Sequence, residues 1–179
     1  VGALLPAGAA ELWVGVGGSG LFLRDSGSGR YHAYRHDPAV PDSLSGDYVT
    51  ALAPGKSGYI WVGTRSNGLN LCRIEPWSCE RFDGRSGGVR NLRHYHVTAL
   101  RRDRAGGLWV ATDGGGLHHA QVDAAGRVVR FERWGVERGL LNDGIMAVEE
   151  DDDGSLWLST RHGLSRLDPA TGRIVNHVL

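Results

Sequence analysis

The sequence is short of several things, and each shortage closes a route. Among its 179 residues there is one Lys (Lys56), one Met and two Cys. With a single Lys and a formal net charge of +0, Arg carries nearly all the positive charge. No basic stripe is concentrated anywhere, so the electrostatic footprint of a nucleic-acid partner is missing. No apolar run approaches the roughly 20 residues that span a bilayer, and no charged region precedes an apolar segment at the start. The chain opens at Val1 without a Met and reads as an excerpt of a longer protein, so a missing signal peptide says nothing about localisation. Helix-period patterns are scarce too, which assigns the 28 Gly to turns.

What the chain does have is a repeat. Trp13, Trp61, Trp109 and Trp157 stand 48 residues apart, each between two aliphatic residues: Leu12 and Val14, Ile60 and Val62, Leu108 and Val110, Leu156 and Leu158. A small residue follows (Gly15, Gly63, Ala111, Ser159), then a Gly-Leu pair at Gly20-Leu21, Gly68-Leu69, Gly116-Leu117 and Gly163-Leu164. Twelve residues before each Trp, Val1, Val49, Val97 or Ile145 opens a short apolar run. A spacing held along the whole chain is the signature of a repeat architecture and dictates the fold.

Within one copy the apolar runs are short, rich in β-branched and aromatic residues, and bounded by Gly, Pro, Asp or Ser, which is how strands read. In the second copy they predict strands at 49–53, 59–64, 68–74 and 79–83. Four antiparallel strands per 48 residues make one propeller blade. The expectation is an all-β chain of four four-stranded antiparallel blades over residues 1–36, 49–83, 97–134 and 145–179, joined by inter-blade loops and part of a larger, seven-bladed β-propeller. Each Trp should be largely buried between adjacent sheets, removing roughly 200 Å² from water, on the order of 5 kcal/mol gross at about 25 cal/mol per Å². Nothing is left over for ring closure by strand exchange, so the four blades form an open arc, close as a small propeller, or self-associate.

The stretch Leu108-Trp109-Val110-Ala111-Thr112, with Asp103 and Gly106 upstream, resembles the two-component regulator propeller repeat. So does Asp151-Asp152-Asp153-Gly154-Ser155-Leu156-Trp157-Leu158-Ser159-Thr160, with Gly163-Leu164 after it. That repeat runs as an Asp-containing turn, a Gly, an apolar-Trp-apolar-Gly-Thr strand and a Gly-Leu pair. The second copy departs at its turn, where Pro54-Gly55-Lys56-Ser57-Gly58 lacks the Asp, as does Pro6-Ala7-Gly8-Ala9-Ala10 in the first. The resemblance implies a periplasmic sensor segment of a membrane-anchored bacterial receptor whose output is a histidine kinase or a diguanylate cyclase. Such a segment binds and transmits, without catalysis, cofactor or metal. Through the family's association with carbohydrate utilisation, the resemblance also implies an oligosaccharide or other small polar ligand. A more distant resemblance, to streptogramin lyases, implies an enzyme with a metal and His on the loop face; His94, His96 and His162 are then the candidates.

Several local motifs dissolve in the repeat. Gly15-Val16-Gly17-Gly18-Ser19-Gly20 fits the dinucleotide pattern, but no helix opens after it to receive a pyrophosphate. Gly84-Arg85-Ser86-Gly87-Gly88 fits the nucleophile elbow, and again no helix follows. Asp151, Asp153 and Gly154 suggest a calcium loop, yet Thr160 stands where the closing Glu belongs. Cys72 and Cys79 fall on successive strands of one blade. They form either a cross-strand disulfide, suited to an oxidising compartment, or two separate half-buried thiols.

In such a blade, the loops after strand two and the inter-blade connections emerge on one face, and long loops on one face are where binding usually resides. That face carries Tyr48, Arg65, Asn67, His94, Tyr95, Asp113, Arg161 and His162. Aromatic platforms, Arg forks and a carboxylate suit a polar, ring-bearing ligand, and these eight are the candidate binding residues.

Overall fold

A computed structural model describes residues 2–8, 11–85 and 87–178. Val1, Leu179, the Ala9-Ala10 pair of the first turn and Ser86 of the glycine-rich loop lie outside them. Four antiparallel sheets of four strands make up the chain. The first blade holds β1 (Ala3–Ala7), β2 (Glu11–Val16), β3 (Gly20–Asp25) and β4 (Tyr31–Tyr34). The second holds β5 (Val49–Pro54), β6 (Tyr59–Thr64), β7 (Leu69–Arg73) and β8 (Ser78–Phe82). The third holds β9 (Val97–Arg102), β10 (Leu108–Thr112), β11 (Gly116–Val122) and β12 (Val128–Trp134), and the fourth β13 (Ile145–Glu150), β14 (Leu156–Thr160), β15 (Gly163–Leu167) and β16 (Ile174–Val178). A 3-10 turn, Val136–Arg138, is the only helical element among the described residues. Strands pair in chain order within each sheet, and β1, β5, β9 and β13 pack against one another in sequence, so the first strand of each blade lines the inside of the arc.

Side chains alternate across a strand, so the burial pattern of the Trp strand shows what covers each face. In the inner blades β10 is buried at every position, and β6 at all but its first. Both faces are covered, and both strands read as continuous apolar runs. In β2 only Trp13 and Gly15, which face the second blade, are buried, while Leu12, Val14 and Val16 are half-exposed. In β14 the pattern inverts: Leu156 and Leu158, which face the third blade, are buried. Trp157, expected to be as buried as the other three, is only half-buried. Each Trp points toward the next blade in the chain, and Trp157 has no such neighbour within these residues. It packs instead on its own sheet, stacked on His177 at 5.6 Å with the Arg166 guanidinium 5.7 Å from its ring.

Three hydrophobic clusters fill the three blade interfaces, one built around Trp13, one around Trp61 and one around Trp109. None of the three joins the fourth blade to the first, so the described residues form an open arc. The small residue after the Trp-aliphatic pair is set by this packing. A Cβ on Gly63 would meet Val97 Cγ1 of the next blade at 2.5 Å. The Gly of the Gly-Leu pair answers a second demand. Gly68 has φ +78°, a left-handed conformation that costs Gly alone little, and any side chain there would run into the Phe82 carbonyl. Threonines at the head of the inner strands add polar stitches, Thr50 Oγ1 to Val97 O at 2.7 Å and Thr98 Oγ1 to Ile145 O at 2.6 Å.

The connections between blades are anchored by a second repeat. Leu44, Leu92 and Leu140, again 48 apart, are all buried. The amide beyond each is received by a buried polar residue of the third strand: Ser45 N by Asn70 Oδ1 (2.9 Å), Arg93 N by His118 Nε2 (3.2 Å), Leu141 N by Ser165 Oγ (3.2 Å). Because His118 Nε2 accepts, its proton sits on Nδ1, a buried atom with no hydrogen-bond partner among the described residues. Burial, reinforced by the nearby charges of Arg133, His94 and Arg93, pushes the His118 pKa down to about 3, so the ring is neutral.

Cys72 and Cys79 stand directly opposite in the β7–β8 pairing and are joined as a disulfide, with Cα atoms 4.0 Å apart. The hairpin they close presents Trp77, which stacks on Tyr34 of the first blade at 4.0 Å. The glycine-rich motifs resolve as expected for turns: Gly15 to Gly20 links β2 to β3, and no helix follows Gly84. At the acidic turn Asp151 accepts from Trp157 Nε1 (3.0 Å), and Asp153 is bonded to Ser155 N and Arg166. Those carboxylates are engaged by their own protein.

Candidate functional site

Two sets of backbone elements meet on one face of the arc: the residue ahead of each inner strand and the turn after each Trp strand. They are tied by Arg65 N to Tyr48 O and Asp113 N to His96 O, each 3.0 Å. The threonine ending the Trp strand of the last three blades braces its turn, with Thr64 Oγ1 on Gly68 O (2.8 Å), Thr112 Oγ1 on Gly116 O (2.8 Å) and Thr160 Oγ1 on Gly163 O (3.0 Å). Arg65, Asp113 and Arg161 therefore occupy one register position in three successive blades.

The centre of this face is a charged cluster bridging two blades. Arg161 Nη2 donates to both Asp113 oxygens at 2.8 Å, and Asp113 Oδ2 lies 3.6 Å from His96 Nδ1. The His96 pKa is lowered, first by burial; Asp113 opposes the shift, and the positive charge of Arg65, His94 and Arg161 reinforces it. Around this centre stand aromatic platforms. The Arg65 guanidinium lies 5.1 Å from the Tyr48 ring, His94 stacks on Tyr95 at 4.6 Å, and Arg85 covers Tyr95 at 5.2 Å. Tyr48 and Tyr95 are 45% and 41% exposed, so part of each side chain faces solvent.

The eight predicted residues are not one constellation. Asp113 and Arg161 are bonded, with Arg65 and His94 within electrostatic reach of the same centre. Asn67 donates its backbone N–H to Thr64 Oγ1 and turns its side chain against Gly46, at the connector. His162 is occupied by Asn142, Nδ1 to Nδ2 at 2.9 Å, at the fourth-blade end. Arg85 was missed by sequence reasoning, and His96 entered it only as a candidate metal ligand. Both had a signal, since His96 shares its register with Tyr48, and Arg85 lies three residues past the outer strand of the second blade, in the inter-blade connection. Of the three histidines, His94 binds the His96 amide (3.2 Å) and His162 binds Asn142. Among the described residues no group of three or more His, Cys, Asp or Glu is placed to hold a metal.

On the opposite face the turns carry a different pairing. His119 stacks on Trp109 at 4.2 Å and meets Asp103 through Nε2 at 2.5 Å, while Asp103 Oδ1 accepts from Gly107 N (2.7 Å). In the fourth blade Arg166 takes the place of His119, opposite Trp157, and pairs with Asp153. In the first and second blades the residue opposite Trp is Leu23 or Leu71, and the turn lacks its Asp. Turn and partner change together.

Fold and face define an all-β arc of propeller blades whose chemistry-bearing residues converge on the loop face. Three segments, 43–66, 91–114 and 139–162, match the two component regulator propeller family, and the chain carries repeats of that family. Each matched segment runs from the residue before a connector Leu, through the Trp strand, to the loop-face turn. No curated protein matches the sequence. Among solved structures, the extracellular domain of BT3049, ascribed to a hybrid two component system of B. thetaiotaomicron, superposes with a TM-score of 0.80 at 17% identity. The match covers 98% of this chain and 23% of that one, so the chain spans about a quarter of the length of its structural relative. The extracellular domain of BT4673, ascribed to a hybrid two component system of the same organism, matches at 15% identity and a TM-score of 0.37 over 98% of this chain and 37% of that one, and adds nothing about the fold. No helix among the described residues is long and apolar enough to cross a membrane.

Proposed function

We propose that the chain is a ligand-binding, non-catalytic propeller segment of a bacterial two-component-type receptor, working on the periplasmic side of the membrane that anchors its parent protein. The observation that carries this reading is the loop-face cluster. Arg65, His94, His96, Asp113 and Arg161 come from three blades and gather beside two exposed tyrosine rings. Guanidinium donors, a carboxylate acceptor and aromatic faces suit an oligosaccharide or similar small polar ligand. Three further observations agree: the family match, the fold shared with an extracellular receptor domain, and a disulfide of the kind that persists in oxidising compartments. The test is to place Arg65→Ala and Arg161→Ala singly in the full receptor and read ligand-dependent output. Loss of response with unchanged receptor abundance is expected; a full response in both variants overturns the assignment.

The two end faces fit the same reading. Leu4 is 59% exposed on one, and Met146 (48%) and Val175 (40%) accompany Trp157 on the other. Further blades of the parent propeller, or a second copy of the chain, cover them. Light scattering on the 19.3 kDa chain alone should therefore show concentration-dependent association driven by the apolar faces; a monomer at every concentration contradicts this.

A further inference from the structure

Away from the loop-face cluster, the connector after the second blade folds over the outer flank of the third. Val89 O accepts from Phe131 N at 2.7 Å and Arg90 Nε donates to Val128 O at 3.0 Å, so the connector runs along the free edge of β12. Between connector and strand lies a cavity of about 630 Å³, within the range of small-molecule sites. Its apolar side is Leu92, Val89 and the Phe131 ring, with the neutral His118 also in its wall. Its polar side is one-signed: Arg85, Arg93 and Arg133 line it, and no Asp or Glu does among the described residues. Arg133 is already paired, to Glu137 at 2.7 Å and Asp143 at 3.1 Å. The Arg93 guanidinium makes no ion pair among the described residues, and its backbone is pinned by the hydrogen bond its amide donates to His118. The Arg85 guanidinium makes no ion pair among them either, but it donates to Ser66 O at 3.0 Å and lies over the Tyr95 ring. A chain with no net charge thus holds uncompensated guanidinium beside an apolar wall.

We propose that this cavity is a second binding site, distinct from the Asp113–Arg161 cluster, for a small organic anion with an oxyanion head and an apolar body. The head is held by Arg93, with Arg133 and Arg85 contributing to the positive field, and the body packs on Phe131 and Leu92. The fork of a guanidinium suits carboxylate and phosphate alike, so the two head groups are told apart by experiment. The charge of Arg93 and Arg133 reaching the cavity is also felt by His118, whose pKa it helps to lower. A site here couples naturally to the blade interface, because the same connector carries Leu92 into the core.

The experiment is a titration of the 179-residue chain, monitored by amide chemical shifts, with benzoate, phenyl phosphate and the neutral isostere benzamide. Saturable shifts centred on Leu92, Arg93 and Phe131 are expected with one or both anions and not with benzamide. Whichever anion binds more tightly fixes the head group. Arg93→Gln, whose side chain is exposed and whose backbone bond to His118 is kept, should weaken binding about tenfold or more, the scale of one charge-assisted hydrogen bond, and Arg93→Lys should recover part of it. Absence of saturable shifts with both anions overturns the proposal. So does equal binding of benzamide, or an Arg93→Gln variant that binds as well as the parent. Loop-face variants at Arg65 and Arg161 should leave these shifts unchanged, which separates this site from the one proposed above.

Discussion

Trp109→Ala and Trp157→Ala delete the same side chain at the same repeat position, and the arc predicts that they will not cost the same. Trp109 is 4% exposed in a cluster with Ile145, Val148, Leu156, Leu158 and Leu167 of the fourth blade. It also stacks on His119 at 4.2 Å and meets Trp134 edge-on at 5.3 Å. Removing it gives up a gross burial term of about 5 kcal/mol and leaves a cavity the interface cannot fill, so a loss of about 3 to 5 kcal/mol is expected. For a chain of this size that lowers the melting midpoint by on the order of 10 °C. Trp157 keeps only contacts within its own blade, with His177, Arg166 and, through Nε1, Asp151, so its deletion should cost roughly half as much or less. Urea denaturation of both variants, monitored by circular dichroism at concentrations low enough to suppress association, gives the two values. Equal losses would refute the reasoning, because they would mean that Trp157 is covered in the chain alone or that the Trp does not seal the interface.

The other predictions concern pairings that the arc makes specific. Asp103→Gly with His119→Leu recreates the turn of the second blade, so the double variant should lie nearer the parent than either single change suggests, with a coupling of about 1 to 3 kcal/mol in a double-mutant cycle; additive losses would show the two residues to be independent. Replacing Cys72 and Cys79 together by Ser should cost about 2 kcal/mol, and reductant should lower the parent's midpoint while leaving that variant unmoved. His118 is neutral when folded, with its pKa pushed down to about 3 against 6.5 for the free side chain. Its unfolded form therefore binds a proton that the folded form refuses as pH falls below about 6.5, and stability declines by up to about 1.4 kcal/mol per pH decade from there toward pH 3. His118→Asn, which copies Asn70, should flatten that limb between pH 6 and 4 while leaving the steeper loss below pH 4, where carboxylates such as Asp151 and Asp153, whose folded pKa values are lowered, take up protons; an unchanged slope contradicts the assignment.

Much of this was legible because the repeat is written in residues whose physics is unambiguous. Trp at a fixed interval, a Gly where the next blade's Val presses in, and a Gly-Leu pair with positive φ each point to one structural demand, and together they gave four sheets and their order. The connector clamp was not legible: Asn70, His118 and Ser165 do one job with three chemistries, and only the amides they receive reveal the shared role. The departures at the first two turns were visible but unexplained until Leu23, Leu71, His119 and Arg166 appeared in one column opposite the Trp. Trp157 was misjudged because burial depends on the neighbour that covers a blade, which a periodic pattern does not contain. On the loop face the candidates were found by topology. The pairing of Asp113 with Arg161, and the place of His96 beside it, came from the shared register of 65, 113 and 161, a column of loop residues that carries no motif.

The claim that the loop face is a ligand surface, and not simply a brace between blades, is tested most directly by exchanging the charges of its central pair. Asp113→Arg with Arg161→Asp, made together in the full receptor, keeps an ion pair between the third and fourth blades while reversing the polarity presented beside His96 and Tyr95. The predicted result is a receptor of normal abundance and unchanged melting midpoint that no longer responds to its ligand. An undiminished response in that double variant would mean that the pair only holds the blades together, and would contradict the assignment of this face.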